Sequence, residues 1–152
     1  MVIKKKKRVV LASGTFDLLH LGHVRFLEEA KKAGGKEAEL IVIVARDSTV
    51  KARKGKTPVM PEDQRRTLVE SLKVVDEAIL GLEDFSIDKV IEKIKPDVIA
   101  VGHDQDGMER EVLKAIEKEK FAIEVRKIGR FGKRELDSSS KIVRKIIESF
   151  NK

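Results

Sequence analysis

The 152-residue chain has no cysteine, tryptophan or tyrosine, only three prolines, one asparagine (Asn151) and two glutamines (Gln64 and Gln105). Each absence removes a class of protein. Without cysteine there can be no disulfide, no thiolate metal site and no cysteine nucleophile. With six phenylalanines as the entire aromatic complement, a stacking platform for single-stranded nucleic acid is poorly supplied. No apolar run approaches the roughly 18 residues that a membrane span needs. The start, Met1-Val2-Ile3 and then Lys4 to Arg8, carries neither the apolar stretch nor the cleavage site of a secretory signal. A cytoplasmic protein without a membrane partner is therefore expected. Scarce amides beside abundant Lys and Glu match the composition of thermophile proteins.

What is present is charge. Charged residues make up 39% of the chain, with a net charge of +7 and a pI near 9.6. Such a balance suits partners that carry phosphate. Five of the cations form one run, Lys4 to Arg8, so residues 1–7 read as a solvated basic tail. Anionic small substrates are expected rather than nucleic acid. An inactive nucleotide- or RNA-binding module is the alternative of another class. The length and a hydrophobic content of 41% fit one domain, residues 1–152, with a single substantial core.

Short β-branched runs alternate with segments of helical period. Arg8–Ser13, Glu39–Ala45, Glu77–Leu80, Val98–Val101 and Ile123–Lys127 read as strands. Between them, helices are predicted over 23–33, from Pro61 to about Ser71, over 87–94 and from Met108 to about Lys120. Ser138–Phe150 closes as an amphipathic helix. Lys51 to Lys56 reads as a basic stretch without regular structure. The alternation implies an α/β, Rossmann-like, doubly wound five-stranded parallel sheet with helices on both faces. Ligands of such sheets bind beyond the carboxyl ends of the strands, which singles out the loops 14–23, 102–107 and 129–140.

The first loop, Gly14-Thr15-Phe16-Asp17-Leu18-Leu19-His20-Leu21-Gly22-His23, follows a strand and opens a helix. Two imidazoles three residues apart at the positive end of a helix can donate hydrogen bonds to one phosphate. Gly22 would let phosphate approach closely, and Thr15 adds a hydroxyl. A zinc pair is a weaker reading, because only the distant His103 could join it and zinc takes three or four protein ligands. Neither the dinucleotide fingerprint nor a Walker loop occurs.

The run GTFDLLHLGH resembles the signature of the cytidylyltransferase-like nucleotidyltransferases, and the likeness extends over nearly the whole chain. Lys56 before a proline-containing loop, Arg65 in the next helix, Val101-Gly102-His103-Asp104 after the fourth strand and Ser138-Ser139-Ser140-Lys141-Ile142 occur in the family's order. Within that superfamily the chain is most similar to archaeal FAD synthetases. The resemblance implies transfer of AMP from ATP to FMN by direct in-line attack, a divalent cation (Mg2+ or similar) held mainly by substrate phosphates, and a homodimer. A CTP-dependent transfer to glycerol 3-phosphate, or to a similar phosphorylated alcohol, is the alternative within the superfamily.

By the same resemblance, His20 and His23 would hold the triphosphate and steady its transition state, and Lys56 would reach the phosphates from its loop. Thr15, Phe16, Leu21, Gly22, Asp104, Arg130, Ser138 and Ser139 would bind the nucleotide. Arg65 and Ser140 would add weaker phosphate contacts. Lys133 and Arg134 compete with Arg130, and Arg66 with Arg65. Lys73-Val74-Val75-Asp76 stands where cytidylyltransferases commonly carry Arg-Tyr-Val-Asp, a departure that favours adenylyl transfer.

Overall fold

In this computed structural model, which describes residues 6–84, 86–130 and 137–152, the five β-branched runs form five strands. These are β1 (Val9–Gly14), β2 (Glu39–Val44), β3 (Glu77–Leu80), β4 (Val98–Gly102) and β5 (Glu124–Ile128). They make one all-parallel sheet in the order β3-β2-β1-β4-β5. Six helices connect or follow them: α1 (Leu21–Ala33), α2 (Asp47–Lys54), α3 (Glu62–Glu70), α4 (Ile87–Ile94), α5 (Asp106–Glu119) and α6 (Ser139–Phe150).

The two-residue period of the strands sorts their side chains onto two cores. Val10, Ala12, Leu40, Val42, Val44, Val98 and Ala100 meet Leu27 and Ala30 of α1 and Val69 of α3 on one face. Leu11, Ile43, Ile99 and Val101 meet Val90 and Ile91 of α4 and Val112 and Ala115 of α5 on the other. Both faces are covered, which is why these strands read as nearly unbroken apolar runs. Gly34 lets the end of α1 close on β1: a Cβ there would lie 2.4 Å from Val10 Cγ2.

At the amino edge of the sheet, carboxylates receive otherwise unpaired amides. Asp97 accepts from Val9 N at 2.8 Å and Asp76 from Leu40 N at 2.7 Å. Asp76 also accepts from Lys31 Nζ at 2.9 Å. The Lys73–Asp76 segment is thus part of the sheet's amino edge.

Three helices depart from the sequence reading, α1 only by starting at Leu21, two residues before the predicted 23. The basic stretch at 51–56 is mostly α2, which begins at Asp47 and ends on Gly55 in the left-handed region (φ 76°). Only Val50 of this helix is buried, so it has no apolar stripe to give a helical period. Helix α5 starts at Asp106, two residues before the predicted Met108, because its first turn is polar and glycine-containing. The closing helix α6 is amphipathic as expected, yet none of its residues is buried.

Candidate active site

The chain runs outward from β1 through β2 to β3, then returns to place β4 on the other side of β1. The strand order therefore reverses between β1 and β4, where such sheets open a crevice. Their pairing ends at Ala12↔Ala100. Beyond it, the Gln105 side chain bridges the diverging strands: Nε2 donates to Ser13 O at 3.0 Å and Oε1 accepts from Gly102 N at 2.8 Å. A cleft of about 1720 Å³ opens above, lined by the loops 14–23 and 102–108, by α2 and by α6. Single-ligand pockets span roughly 300–1,000 Å³, so this one has room for two nucleotide-sized molecules.

The signature loop forms the cleft's wall and is held at every turn. Phe16 and Leu18 take positive φ values of 54° and 50°, a region costly for side chains larger than glycine. The Phe16 ring pays that cost back by burial, at 4% exposure, against His23 with ring centroids 5.5 Å apart. Both carboxylate oxygens of Asp17 accept backbone amides of the 58–61 loop, from Val59 at 2.7 Å and Met60 at 3.0 Å. The carbonyl of Asp17 accepts from Ser139 Oγ at 2.6 Å.

The two histidines cap α1. His20 Nδ1 accepts from Gly22 N at 3.1 Å, and His23 Nδ1 accepts from His20 N at 3.3 Å. Their rings stack with centroids 3.8 Å apart. A nitrogen that accepts cannot carry the proton, so in each neutral ring the N–H is at Nε2. Burial lowers the His23 pKa to about 4, helped by the adjacent His20, while Asp104 and Asp17 oppose the shift. Burial also lowers that of His20, against Asp137. Both are thus neutral hydrogen-bond donors at neutral pH. Gly22 serves the imidazoles: a Cβ there would stand 2.8 Å from Asp137 O and 2.8 Å from His20 Cε1.

Thr15, Phe16, Leu21, Gly22, Lys56, Asp104, Arg130, Ser138, Ser139 and Ser140 all line the same cleft as the histidines. Ser138 is the N-cap of α6, accepting from Lys141 N at 3.2 Å. Ser139 is bonded to Asp17, and Ser140 is exposed. Arg130 lies 3.4 Å from Asp137; its competitors Lys133 and Arg134 lie outside the described residues. Lys54, on the last turn of α2, donates to Thr15 Oγ1 at 3.2 Å and shares the cleft with Lys56.

Arg65 departs from its expected phosphate role. It is fully buried and is not among the residues lining the cleft. Its guanidinium donates to Met60 O at 2.9 Å, to Thr15 O at 2.6 Å and to Asp47 Oδ1 at 2.7 Å. A buried cation with its donors engaged in this way is a brace. It fastens the signature loop to α2 and α3. Arg66 instead pairs with Glu70 and Ala78 O. Asp17, Asp47 and Gln105 received no role from the sequence, and Lys54 stood there only as a neighbour competing with Lys56 in the basic stretch. Asp17 stands inside the quoted motif, but its partners, Val59 and Met60, are distant in the chain.

Among the described residues no three His, Cys, Asp or Glu side chains gather as a metal site. Of the carboxylates beside the histidines, Asp17 is engaged by backbone amides and Asp137 by Lys141 at 2.5 Å, while Asp104 faces His23 without a third ligand gathering there among the described residues. These residues do not by themselves fit a metal ion. No described helix is long and apolar enough to cross a membrane.

A doubly wound sheet with paired imidazole donors over its switch point defines a nucleotide-phosphate-binding α/β protein. A family model described as cytidylyltransferase-like matches residues 11–146, and the chain belongs to that family. An FAD synthase of Methanopyrus kandleri is 51% identical over 140 residues, 91% of either chain. One of Ferroglobus placidus is 53% identical over 138 residues, covering 91% of this chain and 87% of the relative. Among solved structures, the lipopolysaccharide core biosynthesis protein from Thermoplasma volcanium is 42% identical, with a TM-score of 0.75 over 84% of this chain and 100% of that one.

Proposed function

We propose that the chain is an FAD synthase, a nucleotidyltransferase that moves AMP from ATP to FMN and releases pyrophosphate. The observation that carries this reading is the likeness, at about half identity over nine-tenths of the chain, to archaeal proteins that bear that name. The histidine pair that the chemistry needs is intact beside it.

A phosphate oxygen of FMN attacks the α-phosphorus of ATP, the new P–O bond forms, and the bond to the β-phosphate oxygen breaks. No covalent enzyme intermediate arises. Negative charge grows on the α-phosphoryl and pyrophosphate oxygens, so catalysis is positioning plus electrostatic stabilisation. The Nε2–H groups of His20 and His23 would donate to those oxygens, already oriented by their Nδ1 bonds. The hydroxyls and free amides at the start of α6, with Arg130, would receive the departing pyrophosphate. Lys54 and Lys56 supply positive charge from the α2 side, and Asp104 would contact the nucleoside. A divalent cation, held by substrate phosphates, would neutralise further charge. The whole chain acts as one catalytic unit, and a homodimer is its expected assembly, checked by light scattering.

Purified protein with Mg2+, Mn2+ or Co2+ is offered ATP plus FMN, or CTP plus glycerol 3-phosphate, and products are resolved by chromatography. FAD in the first mixture is the expected result. Its absence with every metal, or product only in the second mixture, overturns the reading.

A further inference from the structure

We infer that the isoalloxazine ring of the acceptor lies at the α2–α5 end of the cleft, over Ile43, Val50 and Met108, and that Met108 is a specificity-determining residue for flavin. The inference rests on the FAD synthase reading and extends it to a place in the molecule.

In-line displacement fixes the first point. The attacking and leaving oxygens stand on opposite sides of the α-phosphorus. With the α-phosphate at the histidine pair and pyrophosphate at the serines of α6, the acceptor phosphate must arrive from the opposite side, past α2. Lys54 stands on that route, bonded to the Thr15 hydroxyl at 3.2 Å.

The chemistry of the two ends agrees. The end toward α6 presents Arg130 and three serines, suited to anionic oxygens. The other end has an aliphatic floor, with Ile43 and Val50 buried at 5% and 4% exposure and Met108 half-buried at the mouth of α5. An apolar crevice of about 30 Å³, lined by Leu11, Ile99, Val101 and Val112, shares Ser13, Ile43 and Met108 with the cleft. Space of that size takes a methyl group, and an isoalloxazine ring carries two on one edge. Met108 is the adaptable residue between the two spaces, and thioethers pack favourably against aromatic rings.

The alternative seat is the stripe of Leu21, Val143 and Ile147 beyond the serines. A flavin there would hold its phosphate on the leaving-group side. Nor does the chain possess a Tyr or Trp to stack on. The two phenylalanines lining the cleft are committed elsewhere, Phe16 against His23 and Phe26 against the core.

Steady-state KM values for FMN and for ATP are measured separately on three variants. Met108→Glu sets a carboxylate against the ring and should raise KM for FMN about tenfold or more, with KM for ATP within about twofold. Met108→Leu, of similar volume, should stay close to wild type. Ile147→Glu should not raise KM for FMN selectively. If Met108→Glu melts below assay temperature, Met108→Ala replaces it, with the same selective rise expected. An unchanged KM for FMN in the Met108 variants, or a selective rise in Ile147→Glu, overturns the inference while FAD synthesis by the wild type stands. A wild type that makes no FAD overturns the underlying reading, and this inference with it.

Discussion

The two walls of the cleft are built differently. The wall formed by β1, the signature loop and α1 is anchored in the core: Phe16 and Leu27 are buried, Arg65 braces Thr15 and the histidines cap their own helix. The opposite wall, α6, buries no residue, and Ile147 and Phe150 are 53% and 83% exposed. It is joined to the first wall through Ser139 and Asp17. One wall presents donors already fixed in tautomer and direction. The other presents hydroxyls on an element that tertiary packing holds far less tightly. On the proposed function, that contrast would mean preorganisation at the α-phosphorus and looser holding at the leaving group, a sensible division for an enzyme that releases pyrophosphate.

The largest effects should come from the rigid wall. His23→Ala removes a main transition-state donor and should cut turnover by about two to three orders of magnitude; near-wild-type turnover would refute its assigned role. Arg65→Met leaves the Asp47 carboxylate and two carbonyls without their donor and should cost about 3–5 kcal/mol in chemical denaturation. A change below about 1 kcal/mol would mean that the brace is dispensable. The same contrast predicts a pH effect. Because the folded-state pKa of His23 is depressed to about 4 from 6.5, the unfolded chain holds more protons between those values. Stability is then full above pH 6.5 and falls on acidification toward pH 4, by up to roughly 3 kcal/mol. Denaturation of the wild type and His23→Gln across this window should show the slope flattened in the variant.

The loose wall should respond mildly in stability. Ser139→Ala breaks the tie to Asp17 and should raise KM for ATP several-fold, while lowering stability by only about 1 kcal/mol. Smallest of all, Phe150→Ser should change stability by less than about 0.5 kcal/mol; a larger loss would mean that α6 is better anchored than its exposure shows.

The boundary between what was legible in the chain and what was not follows from range. Strand runs such as Leu40–Val44 and Val98–Val101 announce a doubly covered sheet, because burial on both faces demands unbroken apolar sequence. The histidine pair is legible since its partners, Gly22 and His20 itself, are its neighbours in sequence. Arg65 was misread because nothing local distinguishes a buried guanidinium from one reaching for phosphate. Its acceptors, Thr15 and Asp47, lie 50 and 18 residues away. Helix α2 escaped because Val50 is its one buried residue, so it carries no apolar period.

By itself the sequence determined the sheet and the paired-histidine loop, which are written in local pattern and short spacing, and through the likeness of its motifs to a known family it pointed to the reaction class. Only the tertiary structure decided that Gly22 makes room for an imidazole and a carbonyl, that both histidines donate through Nε2, and that Arg65 is a brace. Those depend on which distant atoms share one small volume, and no local pattern encodes that.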